Sequence, residues 1–143
     1  FFLVLFGKMD SGLIPGGCVC ALGGLVFGLG LNVSLNRRKY KVAGAIPQDG
    51  ANPVYIASRA HGNAIEYIPT GIGLILAIIS RRYPPWMNYL MLGFTLSRFL
   101  FTFGLLGYAN MNKPNIPRFF GALGTYLFGI GLAGCIGYLS FND

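Results

Sequence analysis

Four long segments of this chain carry almost no charge, and this pattern limits the possible folds more than any other feature. Residues 13–35, 86–108 and 119–141 each span 23 residues, and Arg98 is the only charged side chain among them. Residues 60–80 form the fourth segment, with His61 and Glu66 near its start. A helix of 23 residues is about 34 Å long, enough to cross a hydrocarbon core of about 30 Å. The composition agrees, since 54% of the residues are hydrophobic and only 10% are charged.

The sequence therefore predicts an all-α membrane protein, a four-transmembrane-helix bundle formed by residues 13–143. We predict helices at about residues 13–36, 59–80, 86–108 and 118–141, after an N-terminal interfacial segment at residues 1–12. Small residues at helical spacing, Gly24-xxx-Gly28 and Ala133-xxx-Gly137, favour close helix contacts, either within the bundle or between subunits.

The basic residues are distributed unevenly between the two ends of this predicted bundle. The positive-inside bias places the connections after helices 1 and 3 in the cytosol, matrix or stroma, and both termini on the other side. No basic stripe on a soluble face supports nucleic-acid binding. Seven basic residues lie in or beside those two connections: Arg37, Arg38, Lys39, Lys41, Arg59, Lys113 and Arg118.

One predicted helix carries a line of polar residues. At 100° per residue, Arg59, Asn63, Glu66 and Thr70 fall within about 40° of a common direction on helix 2, whereas His61 and Tyr67 lie off that line. A lone charge inside a bilayer costs several kcal/mol, so Glu66 needs a partner, and we expect the mid-helix Arg98 to be its counter-ion. The pair could be a purely structural buried ion pair, or part of a crevice that binds an anion or zwitterion.

The segment Arg59-Ala-His-Gly-Asn63-Ala-Ile-Glu66-Tyr-Ile-Pro69 resembles the helix 2 signature of the MAPEG family, the membrane-associated proteins in eicosanoid and glutathione metabolism. The resemblance extends over about residues 36–124 and is closest to microsomal glutathione transferase-like members. It implies a homotrimer that binds glutathione as co-substrate between neighbouring subunits. It also implies roles for individual residues. Arg59, Asn63, Glu66 and Arg98 would hold glutathione, together with Arg37 or Arg38 of helix 1, and Arg118 would stabilise the thiolate.

The chain also departs from the pattern of active family members. They carry tyrosine or histidine on helix 3 after the arginine, whereas this chain has Phe101, Phe103 and Leu105 at the corresponding turns. Two functions follow from this mixture. The first is a glutathione-dependent transferase or peroxidase that acts on lipophilic electrophiles. The second is a catalytically weak or inactive accessory subunit of a larger organellar membrane complex, or a lipid-binding scaffold.

The remaining expectations concern partners, metals and location. We expect membrane lipids and either two further copies of the chain or the subunits of a large complex as partners. The chain is expected to lie in the endoplasmic reticulum or in a mitochondrial or plastid membrane. No metal is expected, because the odd number and the spacing of Cys18, Cys20 and Cys135 favour structural roles over a metal site or disulfide.

Overall fold

A computed structural model describes residues 12–46, 48–108 and 110–142. These residues form four helices: α1 Leu13–Lys39, α2 Pro53–Ile79, α3 Met87–Leu106 and α4 Ile116–Asn142. Each helix is long and apolar enough to cross a membrane, and no strand occurs within the described ranges. The predicted interfacial segment at 1–12 lies outside the described residues except for its last position.

The second helix begins six residues earlier than the predicted start at residue 59, at Pro53. The side-chain oxygen of Asn52 accepts hydrogen bonds from the backbone N–H groups of Val54 and Tyr55, at 2.9 and 3.2 Å. Asparagine at the N-cap followed by proline at the first helical position is a favourable helix start. Arg59 therefore lies inside α2, more than a turn below its beginning.

The third helix lies at the centre of the bundle. It contacts all three other helices, and its longest interface is with α4, whereas α1 packs mainly on α2. Half of the α3 span is buried, a larger share than in any other helix. Within the described part of the chain, α1 and α4 make no contact. We call the end of the bundle that carries the α1–α2 and α3–α4 connections the basic face.

The close approach of α3 and α4 depends on glycines, and at two of them the facing atoms belong to the backbone. A methyl group at Gly121 would collide with the backbone of Phe101, and one at Gly104 would lie 2.5 Å from the backbone nitrogen of Arg118. In lipid, helices associate through van der Waals contact, which small residues make possible. The first turn of α4, with Arg118, is thereby held directly against α3.

Candidate functional site

The polar residues predicted for helix 2 all lie on α2, but they differ in their surroundings. Arg59 and Glu66 are exposed on the single chain, and Asn63 is half-buried. Glu66 is more than three turns below the start of α2, so the single chain presents a carboxylate on the side of a membrane-spanning helix. This position is unfavourable in lipid and calls for a covering group.

Among the described charged residues Arg98 is the most deeply buried, with 1% of its surface exposed. Its Nη2 donates to the side-chain oxygen of Asn63 at 2.7 Å and to the Asn63 carbonyl at 3.3 Å. Its Nη1 donates to Thr125 Oγ1 at 3.2 Å. One guanidinium thus joins α2, α3 and α4 near their middle.

The predicted ion pair between Glu66 and Arg98 is not formed within the chain. Both residues are described, and every partner of Arg98 among the described residues is an uncharged oxygen or an aromatic ring. The reason is geometric. Asn63 lies one turn closer to the basic face and faces the bundle interior, whereas Glu66 is turned about 60° away from it around α2.

Two aromatic rings flank the Arg98 guanidinium. Its Cζ lies 5.2 Å from the centre of the Tyr67 ring and 5.1 Å from that of Phe101. The negative face of an aromatic ring attracts a cation, which offsets part of the desolvation of Arg98. Nε of Arg98 is buried without a hydrogen-bond partner. The site therefore holds a positive charge that forms no salt bridge within the described residues and does not use all of its hydrogen-bond donors.

Arg118 lies in the first turn of α4 and is also close to Phe101. Its Nη1 donates to the carbonyl of Met111 at 2.6 Å, and its Cζ lies 6.0 Å from the centre of the Phe101 ring. Asn115 caps this turn, accepting from the Arg118 backbone N–H at 2.9 Å and donating to the Gly104 carbonyl at 2.9 Å. A cavity of about 440 Å³ opens beside Phe101, Arg118 and Phe119. Both guanidiniums thus lie within 6.0 Å of the centre of the Phe101 ring.

The arginines at the end of α1 are separated from Arg118. Arg37 donates through Nη1 to the Gly44 carbonyl at 3.3 Å, and Arg38 is exposed. Because α1 and α4 do not touch within the described residues, one chain does not bring these arginines onto the α4 side of the site. The structure thus places Arg98, which binds Asn63, and Arg118 beside Phe101, whereas Glu66 is exposed on α2.

The structure adds two tyrosines that the sequence did not indicate. The hydroxyls of Tyr67 and Tyr126 lie 3.1 Å apart, and their rings meet edge to face at 5.8 Å between centres. Both line a groove between α2 and α4, with a volume of about 400 Å³, that also contains Glu66. We call it the α2–α4 groove. Tyr67 was predicted to lie off the polar line, and a tyrosine in an apolar helix such as α4 usually signals only an interfacial anchor.

These features define an integral, multi-pass membrane protein with four helices and a charged site between three of them. A family model described as the MAPEG family matches residues 15–138. The match covers most of the 143 residues, and the chain belongs to the MAPEG family. Comparisons with curated proteins and with solved structures gave no significant match. Family membership and the four helices confirm the predicted four-helix membrane bundle.

Proposed function

We propose that this protein is a glutathione-dependent transferase or peroxidase that acts on lipophilic electrophiles. The observation that carries the proposal is the buried guanidinium of Arg98, which binds Asn63 and has no anionic partner among the described residues. A buried unpaired charge is costly, so a bound anion would relieve it. Membership of the MAPEG family makes glutathione the preferred candidate for that anion.

The charges of glutathione match the side chains around the site. Glutathione carries two carboxylates and one ammonium group. Arginines bind carboxylates through paired hydrogen bonds, and the exposed carboxylate of Glu66 suits the ammonium. In this proposal Arg59, Asn63, Glu66 and Arg98 hold the peptide, which would cover Glu66 and so remove its exposure to lipid.

Arg118 is proposed to stabilise the thiolate. A free thiol has a pKa of about 8.5, and a nearby cation lowers this pKa so that more thiolate is present at neutral pH. The thiolate sulfur then forms a bond to the electrophilic carbon, and the leaving group departs with its electron pair. With a hydroperoxide, the sulfur takes the terminal oxygen and the alkoxide gains a proton. A second glutathione then reduces the sulfenic acid, giving a disulfide and water.

We further propose that the site is completed between copies of the chain in a homotrimer. Two observations support this. Glu66 is exposed on a membrane-spanning helix, and the α1 arginines lie on a helix that does not contact α4 within the described residues. A neighbouring copy could cover Glu66 and supply Arg37 or Arg38 to the α4 side of the site.

The decisive experiment is detection of thiolate on the purified protein. Glutathione added to the protein should produce near-ultraviolet thiolate absorbance that is lost in Arg118→Ala. The matched control is Arg82→Ala, which removes an exposed arginine outside the helices and should leave the absorbance unchanged. Absence of thiolate, together with no transfer to 1-chloro-2,4-dinitrobenzene, would refute the proposal.

The second candidate is a non-catalytic accessory subunit or lipid-binding scaffold. It is favoured by Phe101, an apolar ring near both Arg98 and Arg118 where a hydroxyl could have assisted the chemistry. Purification under mild conditions separates the two candidates. The enzyme is expected as an isolated homotrimer, whereas the accessory subunit should be recovered only within a larger assembly in an organellar membrane.

A further inference from the structure

The two connections of the basic face meet directly beside Arg118. The backbone N–H of Met111, which follows α3, donates to the carbonyl of Gly50, which precedes α2, at 2.9 Å. The carbonyl of the same Met111 accepts from Arg118 Nη1 at 2.6 Å. One residue therefore bonds to the α1–α2 connection on one side and to the Arg118 guanidinium on the other.

The contact between the two connections needs a glycine at position 50. Gly50 is buried, and a Cβ atom built on it would lie 2.4 Å from both Cγ and Nδ2 of Asn112. The requirement is one of space, since no glycine among the described residues has a positive φ. Any larger residue must displace Asn112, which is the next residue after Met111.

Gly50 is itself fixed to the start of α2. The backbone carbonyl of Asp49 accepts from the Asn52 N–H at 2.9 Å, and its side-chain oxygen accepts from the Ala51 N–H at 3.0 Å. Asn52 is the N-cap of α2. Met111 in turn packs against the hydrophobic core. The Met111 carbonyl is thereby held at a defined place relative to α2, although the arginine that it binds lies on α4.

This arrangement leaves most of the Arg118 guanidinium free. A guanidinium carries several N–H donors, and within the described ranges the Arg118 side chain donates only to Met111. Asn112 and Arg118 line the same cavity of about 440 Å³. A hydrogen bond at one nitrogen restricts a long side chain before a ligand arrives, and this lowers the entropy cost of binding.

We infer that Gly50 is a positioning residue, because its contact with Met111 fixes the carbonyl that holds the Arg118 guanidinium at the cavity. The inference rests on the proposed function in one respect, namely that Arg118 stabilises the thiolate. It adds that the α1–α2 connection, which lies outside the cavity lining, controls where this cation stands.

The first test measures how well Arg118 is held, on the purified full chain in lipid nanodiscs without glutathione. Phenylglyoxal modifies arginines, and mass spectrometry gives the rate at Arg118. Gly50→Ala should raise this rate about threefold to tenfold, as expected when a hydrogen bond is lost. Gly73→Ala, which meets nothing within 4 Å, is the matched control and should leave the rate unchanged.

Rescue separates positioning from general damage. Asn112→Ala removes the side chain that faces Gly50, so Gly50→Ala/Asn112→Ala should return the labelling rate to that of Asn112→Ala alone. Gly50→Cys/Asn112→Cys provides a second check within one protein. Oxidised to a disulfide, it joins the two connections and should protect Arg118, whereas the reduced form should label faster.

The second test is the pH dependence of glutathione thiolate absorbance. A nearby cation lowers the pKa of a thiol, so displacement of Arg118 raises this pKa and thiolate appears only at higher pH. Gly50→Ala should move the midpoint upward by about half to one pH unit, and Asn112→Ala in the same chain should restore it. A merely structural role would lower the absorbance at every pH and leave the midpoint in place.

Four results would overturn the inference. They are unchanged labelling of Arg118 in Gly50→Ala, no rescue by Asn112→Ala, equal labelling of the oxidised and reduced cysteine pair, or a midpoint that stays in place. If the wild-type protein forms no thiolate, the proposed function fails, and the labelling rates still decide whether Gly50 positions Arg118.

Discussion

Arg98 combines deep burial with a full positive charge, and its amide partner accounts for its stability in this position. Hydrogen bonds to charged groups contribute about 1.5–3 kcal/mol each. The short bond from Nη2 to Asn63 is the best of those that Arg98 makes, and two aromatic rings add to it. The residue is thus satisfied well enough to fold, yet retains its charge for a ligand.

The first prediction compares the two candidate partners of Arg98. Asn63→Ala should lower the free energy of unfolding by about 2 kcal/mol, because it removes a charge-assisted hydrogen bond in the bundle interior. Glu66→Gln is the matched change and should alter it by less than about 0.5 kcal/mol in ligand-free protein, since Glu66 is exposed. Thermal unfolding in detergent measures both. If Glu66→Gln lowered the free energy of unfolding as much as Asn63→Ala, the result would support the predicted ion pair between Glu66 and Arg98 instead.

The second prediction concerns Phe101, which lies near two guanidiniums. Phe101→Tyr would place a hydroxyl in this region, and groups that handle protons contribute about 10²–10⁴-fold to catalysis. We expect glutathione-dependent reduction of cumene hydroperoxide to rise about tenfold. Phe103→Tyr adds the same hydroxyl on an exposed face of α3 and should have no effect. Equal rates of cumene hydroperoxide reduction in wild type and Phe101→Tyr would show that Phe101 does not lie near the reacting groups.

At the residue scale, the sequence predicted which polar and charged side chains lie within the spans. It did not predict which of them contact each other. Arg98, Asn63 and Glu66 stand out because polar groups in an apolar span are costly and need a partner. Asn63 and Glu66 lie one turn apart on the same helix, however, so helical spacing alone could not decide between them. Their directions relative to α3 depend on how the helices cross. The sequence did not indicate a role for Tyr126, since its hydrogen-bond partner Tyr67 lies 59 residues away on another helix.

The interface between α3 and α4 is the most extensive in the described bundle and depends on glycine. The sequence indicated that small residues pack helices and gave Gly24-xxx-Gly28 and Ala133-xxx-Gly137 as candidates, either within the bundle or between subunits. Gly24, Gly28 and Gly137 have open space around them in the single chain. The contacts that do form use Gly104 and Gly121. Spacing identifies small residues that could pack, and the crossing point decides which of them do.

The third prediction uses two glycines of α4. Gly121→Ala should destabilise the bundle by about 1–3 kcal/mol, because the added methyl collides with the α3 backbone at Phe101. Gly134→Ala meets nothing within 4 Å and should be neutral or slightly stabilising, since alanine favours helix over glycine. Thermal unfolding of the two variants measures the difference. Equal stability would place the α3–α4 contact elsewhere.

At the scale of the whole molecule, the bundle leaves its site open on one side. The α1 arginines and Arg118 stand on helices that do not meet within the described residues. The four helices and their membrane character followed directly from the uncharged segments. The separation of α1 from α4 did not, because hydropathy fixes which segments span the membrane but not their order around the bundle.

The fourth prediction tests whether neighbouring copies share a site. Chains carrying Arg118→Ala and chains carrying Arg37→Ala/Arg38→Ala should each be inactive. Coexpressed in equal amounts, they should recover about a quarter of wild-type thiolate formation, because random assembly pairs an intact α1 with an intact α4 at that frequency. Mixing separately purified, non-exchanging proteins is the control. No recovery on coexpression would mean that each chain builds its site alone.

The position of Asn63 ahead of Arg98 in the chain also bears on how the protein enters its membrane. Insertion of an arginine at the centre of a helix is opposed by about 2.5–3.5 kcal/mol. Synthesis proceeds from the amino terminus, so α2 has already left the ribosome when α3 emerges, and the amide that receives the guanidinium is available at once. Thr125 arrives later, with α4, and closes the arrangement from the other side. The order of synthesis thus lets the least lipid-soluble side chain of the spans find its first acceptor before the bundle is complete.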